Sequence, residues 1–472
     1  MEAILWTIDE ILTATHGEVV AGKELTHFEN ISIDSRNITK KDLFVAVKGQ
    51  KHDGHRFIEE VIAKGVRGIV LDRKKFSQKF TQALKDQIIN NVCCVLVEDT
   101  IKALGDLAAF HRQRFSVPVV CITGSNGKTT TKEMTALVLG QKFNVLKTLG
   151  NLNNEFGVPL TIFRMNHSQG AAVIELGMNH PGEILRLSQI CQPDIGIITN
   201  IAPAHLEGLG SIENVMSAKG ELIENIKPGG VIVLNGDDTY TLRLGSTASR
   251  KVSYFGQSIY ADIRAIDITK KTTTTVFTLE LPNEKISVTI NAPGQFMILN
   301  ALAAAAIGYL SGLSAIEIKT GIEAFTPVKG RMDVKESRQG FFIIDDSYNA
   351  NPGSMEAAIK TLVSLKGDRK GALVAGDMLE LGKDSQQLHK SIGQFAARSG
   401  VNRLFLTGEY ANALKKGARQ QGMPDQDIIV GDKMDLVEPL VEFLGPEDWV
   451  LVKGSRGAGM EEIVRQLEAL GA

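Results

Sequence analysis

The stretch Val119-Val-Cys-Ile-Thr-Gly-Ser-Asn-Gly-Lys-Thr-Thr-Thr-Lys-Glu-Met134 decides how this sequence folds. The apolar run 117–122 predicts a buried strand, and residues 130–139 follow a helical pattern. Two glycines, a lysine and a threonine stand between them in the order G-x-x-G-K-T. This spacing is shorter than that of the common G-x-x-x-x-G-K-[ST] phosphate loop, because Ile122 occupies the position five before Gly127.

A strand, a glycine turn and a helix together form a geometry that binds phosphate. Free backbone N–H groups and the helix N-terminus face the anion, a lysine reaches the outer phosphates, and a hydroxyl binds Mg²⁺. The candidate nucleotide-binding residues are Gly124, Ser125, Asn126, Gly127, Lys128, Thr129 and Thr130. The alternative interpretation is a tight strand-to-helix turn in which the lysine binds no ligand.

Length and composition limit the classes of protein to consider. A chain of 472 residues predicts about three domains, and 43% hydrophobic residues supply several cores. A net charge of −2 makes no electrostatic case for a nucleic acid or a membrane surface as partner. The four cysteines lack metal-ligand spacing, no signal peptide is visible, and the long uncharged run 296–313 predicts a helix inside a protein core. We expect a cytoplasmic protein without membrane insertion.

Strand and helix patterns divide the chain into three α/β domains. We predict a small N-terminal α/β domain over residues 1–100, a central P-loop domain over 101–325 and a Rossmann-like C-terminal domain over 326–472. In the central domain, strands separated by helices favour a mostly parallel mononucleotide-binding sheet. Threonine-rich alternation over 272–281 and 285–290 predicts a β-hairpin appended to that sheet.

Polar side chains follow several predicted strands of the central domain, where ligands of parallel sheets bind. Glu175 ends one strand and is a plausible Mg²⁺ ligand beside the phosphate loop; His205 follows the next strand, although a structural histidine is the alternative. Lys219 lies nearby in sequence, and its spacing alone favours an ion pair with Glu221 or Glu175. The amide-rich loop 151–159, with Asn151, Asn153 and Asn154, suits hydrogen bonding to an oxygen-rich substrate or is a turn-rich connection.

The outer domains also carry polar loops at strand ends. Ser35 and Arg36 could hold a phosphate, and the loop 48–55 could contribute further hydrogen bonds, although the residues alone favour a solvated loop in each case. In the third domain, polar loops follow the strands at 345–352, 376–382, 407–409 and 453–456. Facing strand-end loops in two α/β domains predict a cleft that closes over substrates.

Taken together, these motifs resemble the Mur ligases of peptidoglycan synthesis over essentially the whole chain. The matching segments are 123–130, 151–159, Glu175-Leu-Gly-Met-Asn179, Ala204-His-Leu-Glu207, Ala218-Lys-Gly220, Gly330-Arg-Met332 and Asp346-Ser-Tyr-Asn-Ala-Asn-Pro352. The last of these, with the loop 376–382 and the ending Leu451-Val-Lys-Gly-Ser-Arg456, is typical of the member that uses D-alanyl-D-alanine.

The resemblance implies a reaction and a set of roles. ATP would phosphorylate the carboxylate of UDP-MurNAc-tripeptide, and the amine of D-alanyl-D-alanine would attack the acyl phosphate. The catalytic residues would be Lys128, Glu175, His205 and Lys219. Two Mg²⁺ ions would be held by Thr129, Glu175, His205 and a carbamylated Lys219; ATP would also contact Asn300, Arg331 and Asp346; Ser35 and Arg36 would bind the uridine diphosphate. The resemblance also suggests a monomer.

One segment departs from the family pattern. Where the family commonly has Gly-x-His-Asn-x-x-Asn, this chain has Gly294-Gln-Phe-Met-Ile-Leu-Asn300, so Phe296 and Met297 replace the His-Asn pair. The departure concerns the contact with adenine and leaves the reaction itself unaffected. Three other functions remain open: a folylpolyglutamate synthetase, a P-loop kinase or nucleotide switch, and a non-catalytic cell-wall scaffold.

Overall fold

The computed structural model describes residues 4–22, 27–49, 52–271 and 273–470, and within these ranges the chain builds three main sheets. The N-terminal unit consists of β1 (Trp6–Thr7), α1 (Ile8–Thr15), β2 (Glu18–Ala21), β3 (His27–Phe28), β4 (Asn30–Ser32), β5 (Asp42–Val45), α2 (Ile58–Ala63), β6 (Gly68–Asp72), α3 (Arg73–Lys79), α4 (Gln82–Asn91) and β7 (Cys93–Val97). Its main sheet has the order β2-β7-β6-β5-β4, in which β2 runs antiparallel to β7 and the other neighbours pair parallel.

The central unit is built around the phosphate-loop strand. Its elements are α5 (Thr100–Gln113), β8 (Val119–Thr123), α6 (Lys128–Leu139), β9 (Val145–Lys147), α7 (Gly157–Ile162), β10 (Ala171–Glu175), α8 (Glu183–Cys191), β11 (Ile195–Ile198), α9 (Leu206–Leu209), α10 (Ile212–Glu224), β12 (Val231–Asn235), α11 (Thr239–Ser246), β13 (Lys251–Gly256), β14 (Ile263–Lys270), β15 (Thr275–Glu280), β16 (Lys285–Ile290), α12 (Gln295–Leu310) and α13 (Ala315–Glu323). The strand order is β16-β15-β14-β13-β12-β11-β8-β10-β9.

The sequence of β8 is a continuous apolar run because both faces of the strand are buried in hydrophobic cores. Val120 and Ile122 belong to the core that includes α6 and α12, whereas Val119 and Cys121 belong to the core that includes α8. The predicted apolar helix is α12, which packs against α6 and α13. Among the described residues, no helix is long and apolar enough to cross a membrane.

The hairpin predicted in the central unit is confirmed as β15 and β16, which pair antiparallel. Residue 272, where that pattern starts, lies outside the described residues. The sequence pattern does not predict β13 and β14, which connect the hairpin to the parallel part of the sheet. The alternation of β14 is broken by a register shift between Ile266 and Thr269, which hides the strand from a period-two pattern.

The C-terminal unit is a second α/β sheet with its own helices. Its elements are β17 (Asp333–Glu336), β18 (Phe342–Asp346), α14 (Pro352–Lys366), β19 (Gly371–Ala375), α15 (Ser385–Ser399), β20 (Arg403–Leu406), α16 (Ala411–Gln420), β21 (Ile428–Val430), α17 (Val437–Phe443), β22 (Trp449–Lys453) and α18 (Glu461–Ala469). In the order β17-β18-β22-β19-β20-β21, β17 runs antiparallel to β18 and the rest pair parallel. The α/β class with three such units is confirmed.

Candidate active site

The phosphate loop follows β8, and each of its two glycines is required for a physical reason. Gly124 has φ 146°, and a Cβ there would lie 1.9 Å from Oγ1 of Thr199. Gly127 has φ 81° and caps α6, where a Cβ would lie 2.4 Å from Oδ1 of Asn300. The chain therefore turns tightly enough to leave the N-terminus of α6 facing an open cavity, as a phosphate site requires.

Side chains after β11 hold the phosphate loop in place without any ligand. Asn200 accepts from the backbone N–H of Asn126 at 3.0 Å and donates to the carbonyl of Asn126 at 3.0 Å. The hydroxyl of Thr199 donates to the same carbonyl at 2.6 Å. Sequence reasoning missed both residues, although their place at the end of a strand neighbouring β8 was a usable signal.

Lys128 begins α6 and points back over the loop. Its ammonium donates to the carbonyl of Gly124 at 2.7 Å. Burial is the main cause that lowers the pKa of Lys128, whereas the nearby carboxylates of Glu175 and Glu380 raise it. The cation is thus placed above a loop with open N–H groups, where it can offset the charge of a bound phosphate.

Glu175 ends β10, on the strand beside β8, and is only 2% exposed. Its Oε1 accepts from the side-chain amide of Asn153 at 2.8 Å, and its backbone N–H donates to the hydroxyl of Thr148. Its Oε2 is buried and has no hydrogen-bond partner in the described part of the chain. An orphaned buried carboxylate oxygen at a phosphate site is a fitting ligand for a cation. Asn153 therefore positions this carboxylate as well as lining the cavity.

Lys219 lies on α10 and is 1% exposed. In the ranges that the structure describes, no carboxylate oxygen lies within 4 Å of its ammonium, and the carboxylate of Glu221 instead accepts from the backbone N–H groups of Gly182 and Leu185. The ion pair that the spacing favours is therefore absent between these groups. Burial, and then the cation of Lys128, lower the pKa of Lys219 well below its usual value.

His205 follows β11 and contacts the C-terminal unit. Its Nδ1 lies 2.7 Å from Oε2 of Glu380, in the loop after β19. This hydrogen bond is the main cause that lowers the pKa of Glu380. Sequence reasoning placed His205 among the candidates and missed Glu380, although the loop that carries it was singled out at a strand end.

The C-terminal unit supplies one wall of the site. The guanidinium of Arg331 stacks over the ring of Tyr348 at 4.1 Å. Asp346 pairs with the buried Lys453 at 2.5 Å and accepts from the backbone N–H of Met332 at 3.2 Å, while burial raises the pKa of Asp346. The carboxylate of Asp346 is thus already engaged by a lysine that sequence reasoning did not connect to it.

The N-terminal end of the site is more open. Arg36 is exposed and donates two hydrogen bonds to Asp34, and this guanidinium lowers the pKa of Asp34 to about 2. The carbonyl of the buried Ser35 accepts from Lys64 at 2.7 Å. In the loop 48–55, Lys48, Gly49, His52 and Gly54 line the same cavity, and residues 50 and 51 lie outside the described residues.

A single cavity of about 1990 Å³ connects these parts. Of the predicted site residues, it is lined by Ser35, Arg36, Ser125, Asn126, Gly127, Lys128, Thr129, Thr130, Asn151, Asn153, Asn154, Glu175, His205, Asn300, Arg331 and Asp346. Gly124 and Lys219 are not among the residues that line it. Asn300 is buried and accepts from the hydroxyl of Thr131 at 3.2 Å, and Phe296 and Met297 line an apolar part of the cavity with Phe255.

The predicted metal ligands do not form a preassembled cluster. In the described ranges, no group of three or more His, Cys, Asp or Glu side chains is arranged to hold a metal ion. Thr129, Glu175 and His205 line one cavity, so a Mg²⁺ ion there would need oxygens from a bound phosphate as well. This is the usual situation for Mg²⁺ at nucleotide sites.

Comparison with known proteins gives matches along the whole chain. Family models match residues 27–112 (Mur ligase family, catalytic domain), 122–308 (Mur ligase middle domain) and 330–456 (Mur ligase, glutamate ligase domain). The chain is 36% identical over 469 residues to the UDP-N-acetylmuramoyl-tripeptide–D-alanyl-D-alanine ligase of Escherichia coli (strain K12), covering 98% of this chain and 99% of that protein.

Solved structures agree with the sequence comparison. A crystal structure of MurF from Acinetobacter baumannii matches with a TM-score of 0.89 and 31% identity, covering 99% of this chain and 100% of that one. The MurF ligase of Thermotoga maritima, solved in complex with ADP, matches with a TM-score of 0.81 and 29% identity over 93% of this chain and 97% of that one. Both similarities span all three α/β units.

Proposed function

Because the chain belongs to the Mur ligase family, we propose that it is an ATP-dependent ligase that joins D-alanyl-D-alanine to UDP-MurNAc-tripeptide. The observation that carries this proposal is the single cavity that runs from Ser35 past the phosphate loop to the wall around Arg331. One cavity lined by all three units can bring a nucleotide-linked carboxylate, a triphosphate and an amine together.

The proposed reaction has two steps. A carboxylate oxygen of the tripeptide attacks the γ-phosphorus of ATP, and the bond to ADP breaks to give an acyl phosphate. The dipeptide amine then attacks the acyl carbon, the C–O bond to phosphate breaks, and the amine releases a proton. Lys128 and the N-terminus of α6 stabilise the negative charge on the transferred group, because their donors are already oriented by the fold.

Mg²⁺ belongs to the proposal, and the residues present fit it. Thr129 and Glu175 would hold one ion, and the orphaned Oε2 of Glu175 supports that assignment. His205 and Lys219 would serve a second ion. When bound, Mg²⁺ would neutralise phosphate charge and bring the reacting anions together. ATP contacts by Asn300, Arg331 and Asp346, and uridine diphosphate contacts by Ser35 and Arg36, complete the proposed site.

Carbamylation of Lys219 is part of the same proposal. A neutral amine adds to carbon dioxide, forms an N–C bond and releases a proton, which leaves a carboxylate-like group that can bind metal. The burial of Lys219 and the absence of an ion pair with Glu221 favour the neutral amine. An unmodified ammonium would repel Mg²⁺ at this place.

Domain limits of 1–100, 101–325 and 326–472 are proposed with this function, together with a cytoplasmic location and a monomeric state. Support for the limits comes from the sheets, since each main sheet lies inside one of them. The four free cysteines are consistent with a reducing compartment.

The proposal is tested by incubating the protein with ATP, UDP-MurNAc-tripeptide and D-alanyl-D-alanine and measuring product masses. We expect the nucleotide pentapeptide, ADP and phosphate in equal amounts, and no ADP without the nucleotide tripeptide. Nucleotide hydrolysis that is indifferent to the amine would favour a kinase or switch, and binding without turnover would favour a scaffold. Tripeptides ending in diaminopimelate and in lysine, and a folate substrate, are run in parallel to identify the acceptor.

A further inference from the structure

The contact between His205 and Glu380 joins two units that lie far apart in sequence. His205 follows β11 of the central sheet, and Glu380 follows β19 of the C-terminal sheet. Their side chains meet at 2.7 Å, between Nδ1 and Oε2. The carbonyl of Glu380 also accepts from the backbone N–H of Glu207 at 3.1 Å. Glu380 of the C-terminal unit therefore forms hydrogen bonds with the 205–207 turn through both its backbone and its side chain.

The backbone at this contact is unusual on both sides. His205 has φ 55° and Glu380 has φ 62°, in the left-handed region that residues other than glycine rarely occupy. Gly382 has φ 63°, and a Cβ there would lie 3.2 Å from Cα of Glu207. Such conformations persist when surrounding contacts impose them, and they concentrate at functional sites.

The chemistry of the pair determines which ring nitrogen remains available. A carboxylate accepts hydrogen bonds and cannot donate them, so Nδ1 of His205 carries the proton that Glu380 accepts. In the neutral ring, Nε2 is then the free lone pair. Because His205 and Glu380 both line the cavity, the pair sets the orientation and tautomer of a side chain inside the proposed site.

We propose that Glu380 is a positioning residue that aligns His205 across the boundary between the central and C-terminal units. His205 is then held in its working orientation only while the C-terminal unit is docked, which links the chemical step to domain docking. The contribution to ligation rests on the proposed function, whereas the tautomer of His205 can be measured independently of it.

Two variants isolate the side chain of Glu380. Both Glu380→Ala and Glu380→Gln keep the backbone carbonyl that binds Glu207, and glutamine also keeps an oxygen that can accept from Nδ1. We expect Glu380→Ala to lower kcat about ten- to a hundredfold, with KM for ATP unchanged, and Glu380→Gln to recover most of that loss. Glu409→Ala is the matched control, since Glu409 is exposed three residues after the neighbouring strand β20 and, although its loop was predicted to face the cleft, does not line the cavity.

Two readouts separate positioning from a general structural role. In ¹⁵N-histidine-labelled protein without ligands, above the pH range of histidine titration, the wild type should show His205 protonated at Nδ1, assigned with His205→Asn. Glu380→Ala should shift the proton towards Nε2, and Glu409→Ala should not. In a double-mutant cycle, Glu380→Ala should have no further effect on kcat once His205 is alanine.

Each result decides for or against Glu380 as the residue that positions His205. An unchanged tautomer in Glu380→Ala, an unchanged kcat, or multiplicative effects in the double mutant would overturn it. Should Glu380→Ala fail to fold, the same measurements on Glu380→Gln and on Glu380→Asp, whose shorter side chain cannot span the contact, decide the question. A wild type that forms no ligation product would refute the proposed function, and the ¹⁵N signals would still test whether Glu380 positions His205.

Discussion

Two regions of the cavity, a buried central end at the phosphate loop and an exposed N-terminal end at Arg36, differ in how their side chains are held. At the central end, Glu175 is 2% exposed and Lys219 is 1% exposed, and hydrogen bonds within the fold orient the phosphate loop. At the N-terminal end, the side chain of Arg36 is 82% exposed and is paired with Asp34. The comparison indicates that the central end is preorganised, whereas a ligand of Arg36 at the N-terminal end would have to replace the ion pair with Asp34.

Lys219→Ala should give the largest effect, because it removes the group to which the proposal assigns binding of the second metal ion. We expect a loss of activity on the order of a thousandfold, with partial recovery in high bicarbonate or a short carboxylic acid that fills the vacated space. In ¹³C-labelled carbon dioxide, the wild type should show a carbamate carbon signal that the variant lacks. The exposed Lys251→Ala should keep both activity and signal. Full wild-type activity in buffer free of carbon dioxide would contradict the carbamate.

Lys128→Ala tests the other cation at the buried end. Removing it leaves developing negative charge on the phosphoryl group uncompensated, and we expect at least about a hundredfold loss in kcat, roughly 2.7 kcal/mol of transition-state stabilisation. The measurement is the steady-state rate of ADP release with all substrates saturating, and Lys251→Ala is again the control. A near-normal rate would show that the glycine turn is structural, and the contrast between the two ends would disappear.

Arg36→Ala probes the exposed end, where a smaller effect is expected. The guanidinium is solvated and already paired with Asp34, so its loss should raise KM for the nucleotide tripeptide only about fivefold. KM for ATP and kcat should stay unchanged. Arg67→Ala, at an exposed position before β6, serves as control. A loss in kcat instead would place Arg36 in the chemistry and break the comparison.

A contact between the N-terminal and central units should make the stability of the folded protein depend on pH. Trp6 stacks on His111 of α5, with ring centroids 5.6 Å apart, and burial is the main cause that lowers the pKa of His111 to about 4. Because the folded state binds this proton less readily than the unfolded state, stability is full above about pH 6.5 and is lost as the pH falls towards about 4. The loss is on the order of 3 kcal/mol at most.

His111→Gln should reduce this pH dependence, because the amide of glutamine does not titrate. The amide can still donate to the carbonyl of Met165, which Nε2 of His111 contacts at 2.9 Å. The measurement is the thermal midpoint at pH 7 and pH 5 in wild type and variant, with the exposed His167→Gln as control. Equal pH dependence in all three proteins would exclude His111 as its source. Activity at neutral pH should not change.

Local sequence determined the phosphate loop, because its glycines, lysine and threonine act within a few residues of one another. It also determined the α/β class and the strand ends that carry Glu175 and His205, since parallel strands place their carboxyl ends at one edge of a sheet. The resemblance to the Mur ligases, read from such segments, is confirmed by the family matches over all three units.

Tertiary structure alone decided which polar groups meet. The hydrogen-bond partner of His205, Glu380, lies 175 positions away in sequence. Asp346 is paired with Lys453 from another strand, and the side-chain amide of Asn153 donates to Glu175. The ion pair favoured by the closeness of Lys219 and Glu221 in sequence does not form, because helix α10 buries the lysine while the glutamate binds backbone N–H groups before and within α8. Hydrogen bonds and charges act over a few ångströms in space, and sequence distance does not report those separations once strands from different sheets converge.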